Sequence, residues 1–200
     1  RGLGDVYKRQ DVPIDAIIER EPITVLSSEK GWIRAIKGHL NDPTEAKYKD
    51  GDSGKFLIQA ETTDKVILFA TNGRFYTISC NRLPGGKAFG EPIRLIVDLE
   101  NDRDIVNLFL YKPGEKILVA SSSGRGFVVK TDEIFAQTKN GKQVLNIKDN
   151  EEAVACCKVE GDHVAVIGEN RKLLLFSLKE VPEMGRGRGV LLQRNNETNL

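Results

Sequence analysis

Cysteine, histidine, tryptophan and methionine are all scarce in this 200-residue chain, at three, two, one and one. Each scarcity excludes something. Cys80, Cys156 and Cys157 are odd in number, two are adjacent, and no CxxC occurs. They lie in or beside apolar runs, which reads as reduced thiols packed as small core residues in a cytosolic protein. His39 and His163 stand far apart with no ligand spacing around either. That leaves no metal site to expect. GxSxG, HExxH and P-loop patterns are absent too, so no catalytic site is expected in this chain. No apolar run approaches the roughly 18 residues of a membrane span. Net charge is +1, so the overall balance favours neither nucleic acid nor an acidic partner. Helical periodicity is nearly missing; Asp132 to Lys139 offers one short turn with Asp132 as N-cap. The first ten residues, RGLGDVYKRQ, lack both the apolar core of a signal peptide and any periodicity. They read as a non-native leader, and 11–22 as a linker.

What the chain has is repetition. Ile23 to His39 (ITVLSSEKGWIRAIKGH) reads as a β-hairpin with a glycine turn. The pattern recurs at Val66 to Ile78 (VILFATNGRFYTI), Ile117 to Val129 (ILVASSSGRGFVV) and Val164 to Phe176 (VAVIGENRKLLLF). Aligned on the turn, Gly31, Gly73, Gly124 and Arg171 coincide, at spacings of 42, 51 and 47 residues. A tight hairpin needs a residue with positive φ, which glycine supplies without steric cost. The Arg171 turn is expected to use Asn170 there or to open out. Strand-built repeats of about 40–50 residues indicate β-propeller blades.

Each hairpin follows a leading strand from the second repeat on: Lys55 to Ala60, Ile105 to Tyr111 and Ala153 to Val159. After each comes a glycine-bearing loop and a further apolar segment: Ile93 to Leu99, Val144 to Ile147 and Val190 to Gln193. Every unit thus offers four strands. The runs Val66 to Phe69 and Leu173 to Phe176 are apolar throughout, as strands buried on both faces require. The reading is an all-β propeller of about four blades over 23–194, with a tail at 195–200. A β-sandwich fits the fourfold self-similarity less well. Trp32 is expected in the core or between blades.

Charge segregates by position in the repeat. The first unit carries Arg34 and Lys37; the second loop carries Arg82, Lys87 and Arg94 against Glu91. The third carries Lys139, Lys142 and Lys148 with no acid, and the fourth Arg186, Arg188 and Arg194 against Glu183. Acids gather in two connections, Asp98 to Asp104 and Asp149 to Glu152. Equivalent propeller positions share a rim, so these loops are expected to form a basic arc. Lysine, arginine and glycine-exposed N–H groups bind phosphate, so the arc suits double-stranded DNA held without base readout.

Glu21 to His39 (EPITVLSSEKGWIRAIKGH) resembles the opening of the C-terminal domain of bacterial topoisomerase IV A subunits, whose paralogue is the gyrase A subunit. The resemblance continues through Tyr48 to Asp52 (YKDGD), the TNGRFY hairpin and Leu83 to Ile93 (LPGGKAFGEPI), and covers about Glu21 to Gln193. It implies a propeller, often broken or spiral, with strands exchanged between blades, that binds and bends DNA. It implies ATP and Mg2+ for the parent complex but no cofactor in this chain. The partners it implies are the upstream catalytic core and an ATPase B subunit, with strand passage serving chromosome segregation. The basic glycine box that marks gyrase is absent; its nearest match, Leu83 to Phe89, lacks the arginine pair. Tyr7, Tyr48, Tyr76 and Tyr111 match nothing of the DNA-cleaving tyrosine motif. A further blade is expected beyond the four. The alternatives are a gyrase wrapping domain and a protein-interaction propeller.

Overall fold

The computed structural model describes residues 17–85, 88–161, 163–167 and 173–192, with backbone alone for 163–167, 173–177 and Glu180. It is built almost wholly of strands: β1 (Pro22–Ser28), β2 (Trp32–Lys37), β3 (Gly54–Glu61), β4 (Lys65–Ala70), β5 (Arg74–Ser79), β6 (Glu91–Pro92) and β7 (Ile105–Leu110). Then follow β8 (Lys116–Ser121), β9 (Arg125–Lys130), the one-turn helix α1 (Thr131–Ile134) and β10 (Lys142–Gln143). The last are β11 (Ala153–Lys158), β12 (His163–Ile167), β13 (Leu173–Ser177) and β14 (Val190–Leu191).

All four predicted hairpins form: β1–β2, β4–β5, β8–β9 and β12–β13. Gly31, Gly73 and Gly124 have φ of +82°, +77° and +78°, the left-handed backbone their turns need. The Asn170–Arg171 turn lies outside the described residues.

Strand pairing differs from the four-strands-per-unit reading. The sheets run β3-β1-β2-β6, β10-β5-β4-β7 and β11-β8-β9-β14. Each of the first three hairpins therefore receives both flanking strands from the unit that follows it. The leading strand β3 pairs with β1 behind it, and β6, beyond the second hairpin, returns to β2. Among the described residues β12 and β13 pair only with each other. The leading strands β3, β7 and β11 neighbour one another. They occupy the inner edge of their blades, and the short strands β6, β10 and β14 occupy the outer rim.

The return strands are also shorter than their apolar segments suggest. Ile93–Leu95 is a 3-10 turn, because Pro92 has no N–H to continue the ladder. Ile93, Val97 and Leu99 plug the core from that turn while Leu95 stays exposed. Likewise α1 begins at Thr131, so Asp132 lies in its first turn and Lys130 holds the cap position.

Burial on both faces makes one continuous stack. Val66, Leu68 and Ala70 of β4 pack toward blade 1 with Val25, Ile33 and Tyr76. Ile67 and Phe69 point the other way and, with Phe75 of the same blade, join Val119 and Phe127 of blade 3. Each such side chain contributes roughly 1.5–3 kcal/mol when fully buried, so a central blade is held from two sides.

Two features of the closure are testable. Gly90, Gly141 and Gly189 each precede a return strand, with φ of +89°, +72° and +74°. A Cβ there would lie 2.1 Å from Ile33 O, 2.6 Å from Phe75 O and 2.0 Å from Gly126 O. Gly114 has φ +75° and open space. Gly114→Ala should cost about 1–2 kcal/mol through its backbone alone. Gly90→Ala and Gly189→Ala should cost roughly 3 kcal/mol or more, read from urea midpoints; equal costs would refute the close-approach account.

The second feature is electrostatic. Glu183 reaches Lys116 and Lys130 at 2.8 and 3.4 Å, and Glu151 meets Arg188 at 2.6 Å. The Lys116 hydrogen bond holds the Glu183 carboxyl below its usual 4.5, and the Lys148 N–H does the same for Glu151. A depressed carboxylate stabilises the fold fully above its unfolded pKa and loses that contribution as pH falls through the folded one. The urea midpoint should therefore hold above about pH 5 and drop below 4.5. Glu183→Gln with Glu151→Gln should flatten that drop; an unchanged acid limb would contradict it.

Candidate nucleic-acid interface

The register of the turn glycine sorts the cations by role. Trp32, Arg74 and Arg125 each follow a turn glycine directly. Arg74 donates to Asn140 O at 2.9 Å, Gln143 Oε1 at 3.3 Å and Gly141 O at 3.4 Å. Arg125 donates to Gly189 O at 3.5 Å. Both guanidinium groups hold the return loop against the hairpin, a task suited to a fork of fixed donors. Sequence reading missed them because each looked like an ordinary turn residue; only alignment with the return-loop glycine separates them. Trp32 is half-buried at this position, with Lys49 Nζ 3.6 Å from its ring centre. It pairs with Pro92, in the return strand of the following unit.

Three residues past the turn stand Arg34, Tyr76 and Phe127, all buried. Tyr76 donates to Asp98 O and accepts from Asn72 Nδ2, and burial raises its phenol pKa. Arg34 donates to Ala88 O at 3.0 Å and Lys47 O at 2.5 Å. It ties the long connection after β2 to the second glycine loop, and it is 9% exposed. Through it the stretch IRAIKGH reaches LPGGKAFG at Ala88 and the residue just before YKDGD at Lys47.

The remaining predicted site residues divide in the same way. Arg94 is half-buried and donates to Asn101 O at 3.2 Å and Arg103 O at 2.6 Å, clamping the acidic connection. Arg188 is half-buried against Glu151, with its Nε buried and unpartnered. Lys37, Arg82, Lys139 and Lys142 are exposed, and no carboxylate pairs with them among the described residues. Arg186 is exposed with one long contact to Asn146 Oδ1, at 3.4 Å. Lys87 and Arg194 lie outside the described residues. Lys37 ends β2, whereas Lys142 pairs with Phe75 near a turn, so the two occupy opposite ends of their blades.

The glycines of these loops serve closure. Gly141 and Gly189 lie against hairpin carbonyls, which takes them out of the phosphate-facing role their basic neighbours suggested. The cation the sequence reading passed over is Lys65. It joins Arg82 and Lys139 around a groove of about 590 Å³ beside β5, with Thr77, Ser79, Leu95 and Phe135. Among the described residues no acidic side chain lines this groove.

Burial pushes the Cys80 thiol up to about 12 and raises Cys156 further. Both are inert core thiols. No cluster of His, Cys, Asp and Glu could hold a metal among the described residues, and no described helix is long and apolar enough to cross a membrane.

Comparison with known proteins matches this architecture. The family described as "DNA gyrase C-terminal domain, beta-propeller" matches residues 115–156 and 162–198. The A subunit of DNA topoisomerase 4 from Rickettsia bellii is 48% identical over 191 residues, 96% of this chain and 26% of that protein. Its counterpart from Caulobacter vibrioides is 48% identical over 190 residues, 95% of this chain and 25% of that protein. The chain thus spans about a quarter of the length of these relatives. The solved C-terminal domain of Escherichia coli ParC superposes with a TM-score of 0.73 at 27% identity, covering 84% of this chain and 70% of that one. The gyrase A C-terminal domain superposes less closely, with a TM-score of 0.57 at 18% identity. With the strand exchange, the turn register and the missing glycine box, these likenesses place the chain in the family of C-terminal propellers of topoisomerase IV A subunits.

Proposed function

We propose that this chain is the non-catalytic DNA-binding and DNA-bending domain of a topoisomerase IV A subunit. It holds duplex segments in place for ATP-dependent strand passage, relaxation and decatenation during chromosome segregation. The supporting observation is the sorting of its cations. Five of the predicted site residues (Lys37, Arg82, Lys139, Lys142 and Arg186) point to solvent without a carboxylate partner among the described residues. Such solvent-facing cations attract phosphate and release counterions, without reading bases.

In this reading catalysis lies elsewhere in the assembly. The DNA-cleaving tyrosine belongs to the upstream core of the same polypeptide, and ATP and Mg2+ to the ATPase B subunit of a cytoplasmic heterotetramer. This domain contributes substrate geometry, which lowers a barrier by positioning. A gyrase role fits less well, because the strongly similar relatives belong to topoisomerase 4 and the basic glycine box is absent.

Duplex binding should weaken steeply with salt. Lys142→Glu or Arg186→Glu should weaken binding to every sequence alike and reduce the logarithmic salt slope by about 1 each. Lys158→Gln should leave it unchanged, since Lys158 pairs with Glu115 on an inner strand. Fluorescence anisotropy at several salt concentrations measures this. A salt-insensitive dissociation constant would sink the proposal, and a change in sequence preference would require base contacts.

A further inference from the structure

Blade 2 departs from its neighbours at one point. Ala35, Thr77 and Val128 hold the same position, opposite Val25, Ile67 and Leu118. In blade 1 the Ala35 N–H donates outward to Pro84 O at 2.9 Å. In blade 3 the Val128 N–H donates to Pro182 O at 3.0 Å, and its carbonyl accepts from the Met184 N–H at 2.8 Å. In blade 2, β10 pairs only with Arg74 and Phe75. The outward N–H and carbonyl of Thr77 have no backbone partner among the described residues. The passing chain instead bonds to the side chain, Ala136 N–H to Thr77 Oγ1 at 3.0 Å. After α1 it stands off from β5, and the groove opens there.

The floor of that groove is the strand edge Thr77 to Ser79. Leu95, 69% exposed, and Phe135 supply apolar surface. Lys65, Arg82 and Lys139 supply positive charge with no acid. An unpaired edge offers donors and acceptors in alternation, a template for a strand about 4.8 Å away. A phosphate backbone carries acceptors alone, so it could take the Thr77 N–H but would be repelled by the carbonyl beside it. A peptide strand satisfies both. Its side chains alternate in direction, one set toward Leu95 and Phe135 and the other toward the cations.

We propose that the Thr77 to Ser79 edge docks an extended segment of a partner protein by strand addition, the segment alternating acidic and apolar side chains. Such a strand crosses Arg82 and Lys139, so if the rim also holds duplex, the two compete. Docking itself does not depend on the DNA reading.

The test uses the full chain and a short synthetic peptide alternating glutamate and valine, with a copy N-methylated on alternate backbone nitrogens as control. The plain peptide should bind saturably and slow hydrogen exchange at the Thr77 amide. N-methylation should weaken binding about tenfold, as should Arg82→Glu with Lys139→Glu. Neither substitution touches the core, and an unchanged circular dichroism spectrum would show the fold intact. Equal binding of the methylated copy would overturn strand addition in favour of charge alone. Protection of the Thr77 amide by a duplex but not by the peptide would assign the groove to DNA and overturn the proposal.

Discussion

The carbonyl of each turn glycine accepts an N–H from the next repeat, and the rest of the molecule depends on that bond. Ile93 donates to Gly31 O at 2.8 Å, Leu145 to Gly73 O at 3.1 Å and Leu192 to Gly124 O at 2.8 Å. A hairpin alone is marginal in water. Here it acquires an inner and an outer strand only when the following unit arrives. The same step brings the basic loop across the rim, since the loop is the connection that travels back. Blade closure and loop placement are therefore one event. The glycine before each return strand is fixed by this geometry, because no side chain fits between the loop and the hairpin carbonyl it crosses.

That constraint divides the cations. Arginines at Arg34, Arg74, Arg94 and Arg125 donate to main-chain oxygens of the returning or connecting segments. A planar fork reaches several carbonyls at once and loses little on leaving water. Lysines at Lys37, Lys139 and Lys142 stay in solvent. A compact, hydrated charge on a flexible stem suits phosphate contact that reads no sequence. Charge-neutral composition thus conceals two populations, one that braces the returning and connecting segments and one that faces solvent.

Much of this was legible in the sequence. Three turn glycines, with Arg171 in the fourth place, gave four hairpins, and runs such as VILF gave strands buried on both faces. The resemblance implied strand exchange between blades, but the residues alone did not show the pairing, because Lys55 to Ala60 fits equally well beside the hairpin before it or after it. Backbone hydrogen bonds decide between them, and side-chain pattern carries no trace of that choice. Arg34 misled for a related reason. Counted with its loop it is one more cation, but counted from Gly31 it shares a buried position with Tyr76 and Phe127. Lys65 was overlooked because it begins a strand, and only the third dimension sets it beside Arg82 and Lys139. The open edge at Thr77 depends on how one loop passes, which no local pattern encodes.

Exchange of hydrogen at the Ile93 amide tests this construction most directly. Ile93 lies beyond the second hairpin in sequence but bonds to the first blade in space. Val25→Ala loosens β1 by removing buried methyls. Blade closure by the following unit predicts faster native-state exchange at Ile93 and across β3, with the ladder between β8 and β9 unaffected. An Ile93 amide that kept its wild-type rate while β1 and β2 opened would contradict it.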